Sequence, residues 1–171
     1  MISRIMILSC VACFVVALSV SAGTATQKPD FSGIWALDKS RSEGIPPSLD
    51  QTVKVVQSGD RIDVETKSVS DQGEQTINSS YKLDGKEAEV TLPGPMPGIT
   101  AKGKQTAKWS ADGNGFESED VGTFDTPYGP ATIKTKRTWL LSADGQTLII
   151  ELTREGPISM KSKRVFVKKV S

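Results

Sequence analysis

Beyond residue 22 the chain alternates apolar and polar positions with a period of two, in short bursts rich in Val, Ile, Thr and aromatic residues. Clusters of Gly, Pro, Asp and Asn separate the bursts, and no long window carries the three-and-four spacing of an amphipathic helix. Ten strands are predicted, over residues 33–37, 52–57, 61–69, 75–83, 87–92, 102–110, 116–124, 133–141, 147–154 and 158–168. Residues 38–49, with Pro46-Pro47, read as a loop or one short helical turn. The segment 93–98 holds three prolines that cannot donate to a ladder, so it is predicted to lie outside the sheet. Residues 125–130 read as a second loop.

Asp84-Gly85, Asp112-Gly113 and Asp144-Gly145 are predicted as two-residue hairpin turns, in which both central positions take positive φ. A weak internal repeat supports the reading: Trp109-Ser110-Ala111-Asp112-Gly113 resembles the stretch from Trp139 through Ser142-Ala143 to Asp144-Gly145. Hairpins joined by short links describe an all-β, antiparallel up-and-down meander. Closing about 8–10 strands into a barrel removes their edges; an open β-sandwich is the alternative. Ile133, Thr135, Arg137, Trp139 and Leu141 share one face, as do Leu148, Ile150 and Leu152, and as do Ile77, Tyr81 and Leu83. If these faces point inward, Tyr81, Trp109 and Trp139 are the aromatic lining and the candidate ligand contacts; the other reading is that they fill the core.

The first 22 residues break the pattern. Arg4 precedes an apolar stretch from Ile5 to Val20, which ends on Val20-Ser21-Ala22. This is the plan of a secretory signal cut after Ala22 or after Ala25. The chain then divides into a signal (1–22), a lead (23–32) and one domain (33–171), with membrane contact limited to the signal before cleavage. Retention as an anchor is a second reading, because the apolar run is near the lower length for a span. Lipidation at Cys10 is a third. Both cysteines, Cys10 and Cys13, leave with the signal, so the mature protein has no thiol; this fits an exported, periplasmic or secreted bacterial protein held by its sheet.

Charge narrows the partners. Loss of Arg4 takes Lys+Arg from 21 to 20, against 20 Asp+Glu, so no nucleic-acid partner is expected. Lys134, Lys136 and Arg137, with Lys161, Lys163 and Arg164, read as charges on the outer face of two late strands, which keep sheet surfaces soluble. The chain has no histidine. Nucleophilic machinery that depends on His, zinc sites built on His or Cys, and haem ligation by His are excluded for the mature chain. No cofactor is expected. An enzyme would have to use carboxylates, Lys or Tyr. Asp112, Glu117, Glu119 and Asp120 are the acidic cluster that a carboxylate-based hydrolase or a calcium site would need. Asp120 has the opposite parity to Glu117 and Glu119, and the loop lacks EF-hand spacing. A solvated hairpin tip is the favoured reading, with no metal and no catalytic residue.

The segment from Asp30 to Ser40, with Phe31-Ser32-Gly33-Ile34-Trp35-Ala36-Leu37 at its centre, resembles the opening of bacterial lipocalin-like domains; lipocalins and fatty-acid-binding proteins carry a similar Gly-x-Trp on their first strand. The resemblance implies a calycin-type barrel in which Gly33 permits close backbone approach and Trp35 plugs one end beneath a cation from a late strand. Arg164 is the expected cation and Arg137 the second choice. It also implies a non-enzymatic module with a small apolar or amphipathic ligand in the barrel. The competing expectation is a structural or protein-interaction domain of the envelope with a filled core.

Overall fold

The computed structural model describes residues 28–94, 98–126 and 129–169. The predicted signal, its cleavage positions and both cysteines lie outside the described residues. Within them the chain forms ten strands and one short 3-10 helix: β1 (Gly33–Leu37), β2 (Asp50–Ser58), β3 (Arg61–Ser70), β4 (Gly73–Lys82), β5 (Ala88–Pro93), β6 (Thr100–Trp109), β7 (Gly115–Thr126), β8 (Gly129–Leu141), β9 (Thr147–Glu155) and β10 (Met160–Lys168). The helical turn, Lys39–Arg41, falls between β1 and β2 and is capped by Asp38, whose carboxylate accepts from the Ser40 backbone at 3.0 Å.

All pairings are antiparallel, in the order β4-β3-β2-β1-β10-β9-β8-β7-β6-β5. First and last strands therefore meet in the middle of the sheet, and β4 and β5 are its two edges. The sheet curls so that its two edges approach each other near the end of β4. There Asp84 bridges to Lys108, and the Gly85 N–H donates to the Ala107 carbonyl at 2.8 Å. The result is an up-and-down barrel, nearly closed, with a seam between β4 and β5.

Alternation decides which side chains enter. Along β7, Phe116, Ser118, Asp120, Gly122 and Phe124 are buried while Glu117 and Thr123 are exposed. The end holding Trp35 is filled by apolar groups. Trp35, Phe31, Phe116 and Phe166 are fully buried with Ile62 and Leu148. Phe116 stacks on Trp139 at 5.0 Å and meets Phe31 edge-on at 5.2 Å, and Tyr81 leans against both Phe116 and Trp139. Such pairs add about 0.5–1.5 kcal/mol each beyond the area that they bury. Gly33 takes φ +146°, and a Cβ there would lie 2.8 Å from Lys168 Cε. A closer approach occurs at the paired Gly103 and Gly122, where Leu92 from β5 occupies the space that a Cβ of Gly103 would need (2.4 Å).

Four expectations are corrected. Asp84-Gly85 does not turn β4 into a paired β5; it carries the chain across the seam to β6. Pro93 lies within a strand, opposite Thr100, because β5 pairs on one side only and an edge tolerates a residue without a donor. The turns at Asp112 and Asp144 put only their glycines at positive φ (73° and 66°). Each Asp instead accepts from the backbone two residues on, and the preceding Ser binds across the loop: Ser110 Oγ receives from Gly115 N–H, as Ser142 Oγ does from Thr147 N–H. The internal repeat is thus one loop design used twice. The predicted loop over 125–130 is shorter than expected, since β7 and β8 stay paired out to Thr126 and Gly129.

Candidate functional site

Trp35 is fully buried, and the cation over its ring is Lys168 rather than the expected Arg164 or Arg137. Trp35 Nε1 donates to the Phe31 carbonyl at 3.0 Å, and Lys168 Nζ lies 5.1 Å from the centre of the indole. Arg164 does not reach it. Lys168 pairs directly opposite Trp35 on β10, whereas Arg164 lies four residues further along that strand, in register with Ile150. Trp109 sits at the same closed end, half-buried. Its Nε1 donates to Asp60 at 2.9 Å, and Lys28 lies over its ring while pairing with Asp60 at 2.6 Å. Trp109 therefore ties the β2–β3 turn to the end of β6. Tyr81 and Trp139 are buried together in the aromatic cluster, and burial pushes the Tyr81 phenol above its usual range. The three predicted aromatic contacts all lie in the closed half.

The other half of the interior has a different chemistry. The inward positions of β8, β9 and β10 include Arg137, Arg154 and Arg164, arranged around Leu152. In the register Arg137 and Ser162 lie on either side of Leu152; Arg154 is two residues on along β9, and Arg164 two residues on from Ser162 along β10. Arg137 is neutralised by Asp120 on β7, which also accepts from Gln105 Nε2 at 2.9 Å. Arg164 donates to Gln51 at 3.1 Å, and Gln51 in turn donates to Ser68 at 2.8 Å. Arg154 has no protein hydrogen bond or ion pair among the described residues. Burial, and then the charge of Arg137, pull its guanidinium below its ordinary value. Burial, and then the charges of Arg137 and Arg154, pull Arg164 down to about 10. Both remain protonated at neutral pH.

This wall leaves donors unused. Arg154 Nε, Arg164 Nε and Ser162 Oγ are buried without a protein hydrogen bond among the described residues. A buried polar atom without a hydrogen bond costs about 1–3 kcal/mol, and in folded proteins such atoms are met by water or a ligand. The half is also open. Inward-facing Thr66, Ser68, Ile77, Ile133 and Arg154 are half-buried where their counterparts at the plugged end are sealed.

The expected outer basic group on the late strands is split by strand parity. Lys134 and Lys136 do face out and pair with Glu119 at 2.9 and 3.6 Å, but Arg137 and Arg164 have the opposite parity and point inward. Sequence reasoning passed over Arg154 altogether, although it continues the Leu148, Ile150, Leu152 series. The acidic cluster separates in the same way: Asp112 closes its own loop, Glu117 and Glu119 face out, and Asp120 is inside. No group of three metal-binding side chains converges among the described residues. Two depressions mark the outer wall. One of about 590 Å³ crosses β6–β8 beside the ion-paired Lys108, Glu117, Glu119 and Lys136, and one of about 320 Å³ crosses β2–β4 beside Lys54, Val56 and Glu65.

No protein-family model matches the chain, and no curated protein matches it. Among solved structures it is similar to zebrafish ileal bile acid-binding protein complexed with cholic acid, at 18% identity over 81% of this chain and 98% of that one (TM-score 0.49). It is also similar to secretory abundant heat soluble protein 4 from Ramazzottius varieornatus, at 18% identity over 82% and 95% (TM-score 0.45). The chain's own strand order, rather than these distant likenesses, establishes the fold: an up-and-down antiparallel barrel of ten strands, nearly closed.

Proposed function

We propose that this protein is an exported binding module, not an enzyme, that holds one small amphipathic molecule in the open half of its barrel. The carrying observation is the set of buried, unpartnered donors on Arg154, Ser162 and Arg164 in a half of the interior that solvent reaches. The polar end of the ligand rests on those donors. Its apolar part lies along Ile77, Ile133 and Leu152. Tyr81 and Trp139 form the floor rather than the contact surface, and Trp109 acts as a latch. The signal-like segment supports a location in the periplasm or outside the cell.

Native mass spectrometry of protein taken from its own compartment tests this. A bound small molecule, lost in the variant Arg154→Gln with Arg164→Gln, is the expected result. A bare chain that also fails to take up any amphiphile would sink the reading. The second reading, a non-binding domain of the envelope, is favoured by the packed aromatic half and by the placement of both depressions on the outer wall. The two readings part at the arginine wall, which a filled structural domain has no use for.

A further inference from the structure

We infer that the polar end of the ligand is a compact dianion of the phosphate-monoester class rather than a carboxylate; this rests on the binding reading above. Among the described residues, the inward charges of the open half are Arg137, Arg154 and Arg164 against Asp120. Asp120 is committed to Arg137, so two positive charges stay uncompensated. Burying an unpaired ion costs several kcal/mol. Arg154 is level with Met160, and Arg164 lies two residues beyond Ser162 on the other side, so a group seated at Ser162 is flanked by both guanidinium-bearing positions.

A carboxylate brings one charge and would leave one guanidinium unmatched. A phosphate monoester brings up to two charges and three terminal oxygens, which suits two guanidinium edges with the Ser162 hydroxyl lying between them in the register. The unused donors are the two Nε atoms and that hydroxyl, so each oxygen has a donor to meet.

The test compares octyl phosphate, octyl sulfate and octanoate by isothermal titration calorimetry on the protein stripped of small molecules. The sulfate matches the phosphate in shape and oxygen count but carries one charge. At about pH 7.5 the phosphate should bind roughly tenfold tighter than either, the equivalent of one charge-assisted hydrogen bond. Its second proton leaves near pH 6, so that advantage should fade by about pH 5 while the arginines stay charged. Arg154→Gln should weaken the binding of every anion and of phosphate the most, so that phosphate and sulfate bind the variant alike. Equal affinities for all three ligands, flat with pH, would overturn the dianion assignment and leave the binding module standing. Failure of all three to bind would remove both.

Discussion

The two halves of this barrel are made from the same ten strands and obey opposite rules. At the plugged end the large groups are apolar or, Trp139 apart, have their hydrogen bond, as Trp35 has with Phe31 and Trp109 with Asp60. The one buried indole N–H without a partner there is that of Trp139. At the open end, among the described residues, three guanidiniums face one carboxylate, which Arg137 takes, and several donors have no partner. One half maximises stability, while the other keeps charge where charge is costly. On the binding reading proposed above, stability and binding are carried by different side chains, and mutations should sort accordingly.

The largest loss is expected from Trp35→Ala, which empties the fully buried plug. Denaturant unfolding should reveal about 3–5 kcal/mol of destabilisation, with the affinity of the surviving folded protein little altered. Retained stability with lost binding would mean that the plug belongs to the ligand site. Asp120→Ala comes next. It orphans Arg137 beside two further cations and should cost about 3 kcal/mol or more in the same assay; a neutral result would mean that water reaches Arg137 freely.

Arg154→Met should act in the reverse direction. It removes a cation that no protein group compensates, so the melting temperature of the ligand-free protein should rise, by about 2–4 °C after discounting for its partial exposure, while uptake of an anionic amphiphile falls. A drop in melting temperature would assign Arg154 a structural role. The smallest effect belongs to Asp38, whose side-chain bonds to Ser40 and Arg41 hold its carboxyl down at about 2. A depressed carboxylate stabilises above its unfolded pKa, near 3.8, and that contribution is lost as pH falls toward 2. Asp38→Asn should flatten the acid limb of the stability curve over that window only, as followed by circular dichroism.

The wall was legible in the sequence because period-two alternation is a local signal. All ten predicted runs became strands, and Gly33–Leu37 kept the same bounds. The cation over Trp35 was missed because it depends on register between β1 and β10, strands far apart in the chain; nothing local tells Lys168 from Arg164. The arginine wall was legible in principle. Arg137 was already on a face with Trp139 and Ile133, and Arg154 follows Leu152 by two. Grouping Arg137 and Arg164 with neighbouring lysines by charge, instead of separating them by parity, hid a cationic interior behind the look of a soluble surface. The uncompensated charge itself was not legible, because it depends on which carboxylate folds in beside which guanidinium.

The seam between β4 and β5 has a mechanical consequence. Elsewhere the girth of the cylinder is fixed, since widening it would break rungs between adjacent ribbons. Along this slit there are no rungs to break, and the two lips are clasped at a single point by Asp84 and Gly85 against β6. The wall is a split collar rather than a pipe: opening it along the slit leaves the backbone pairings of the ten ribbons intact.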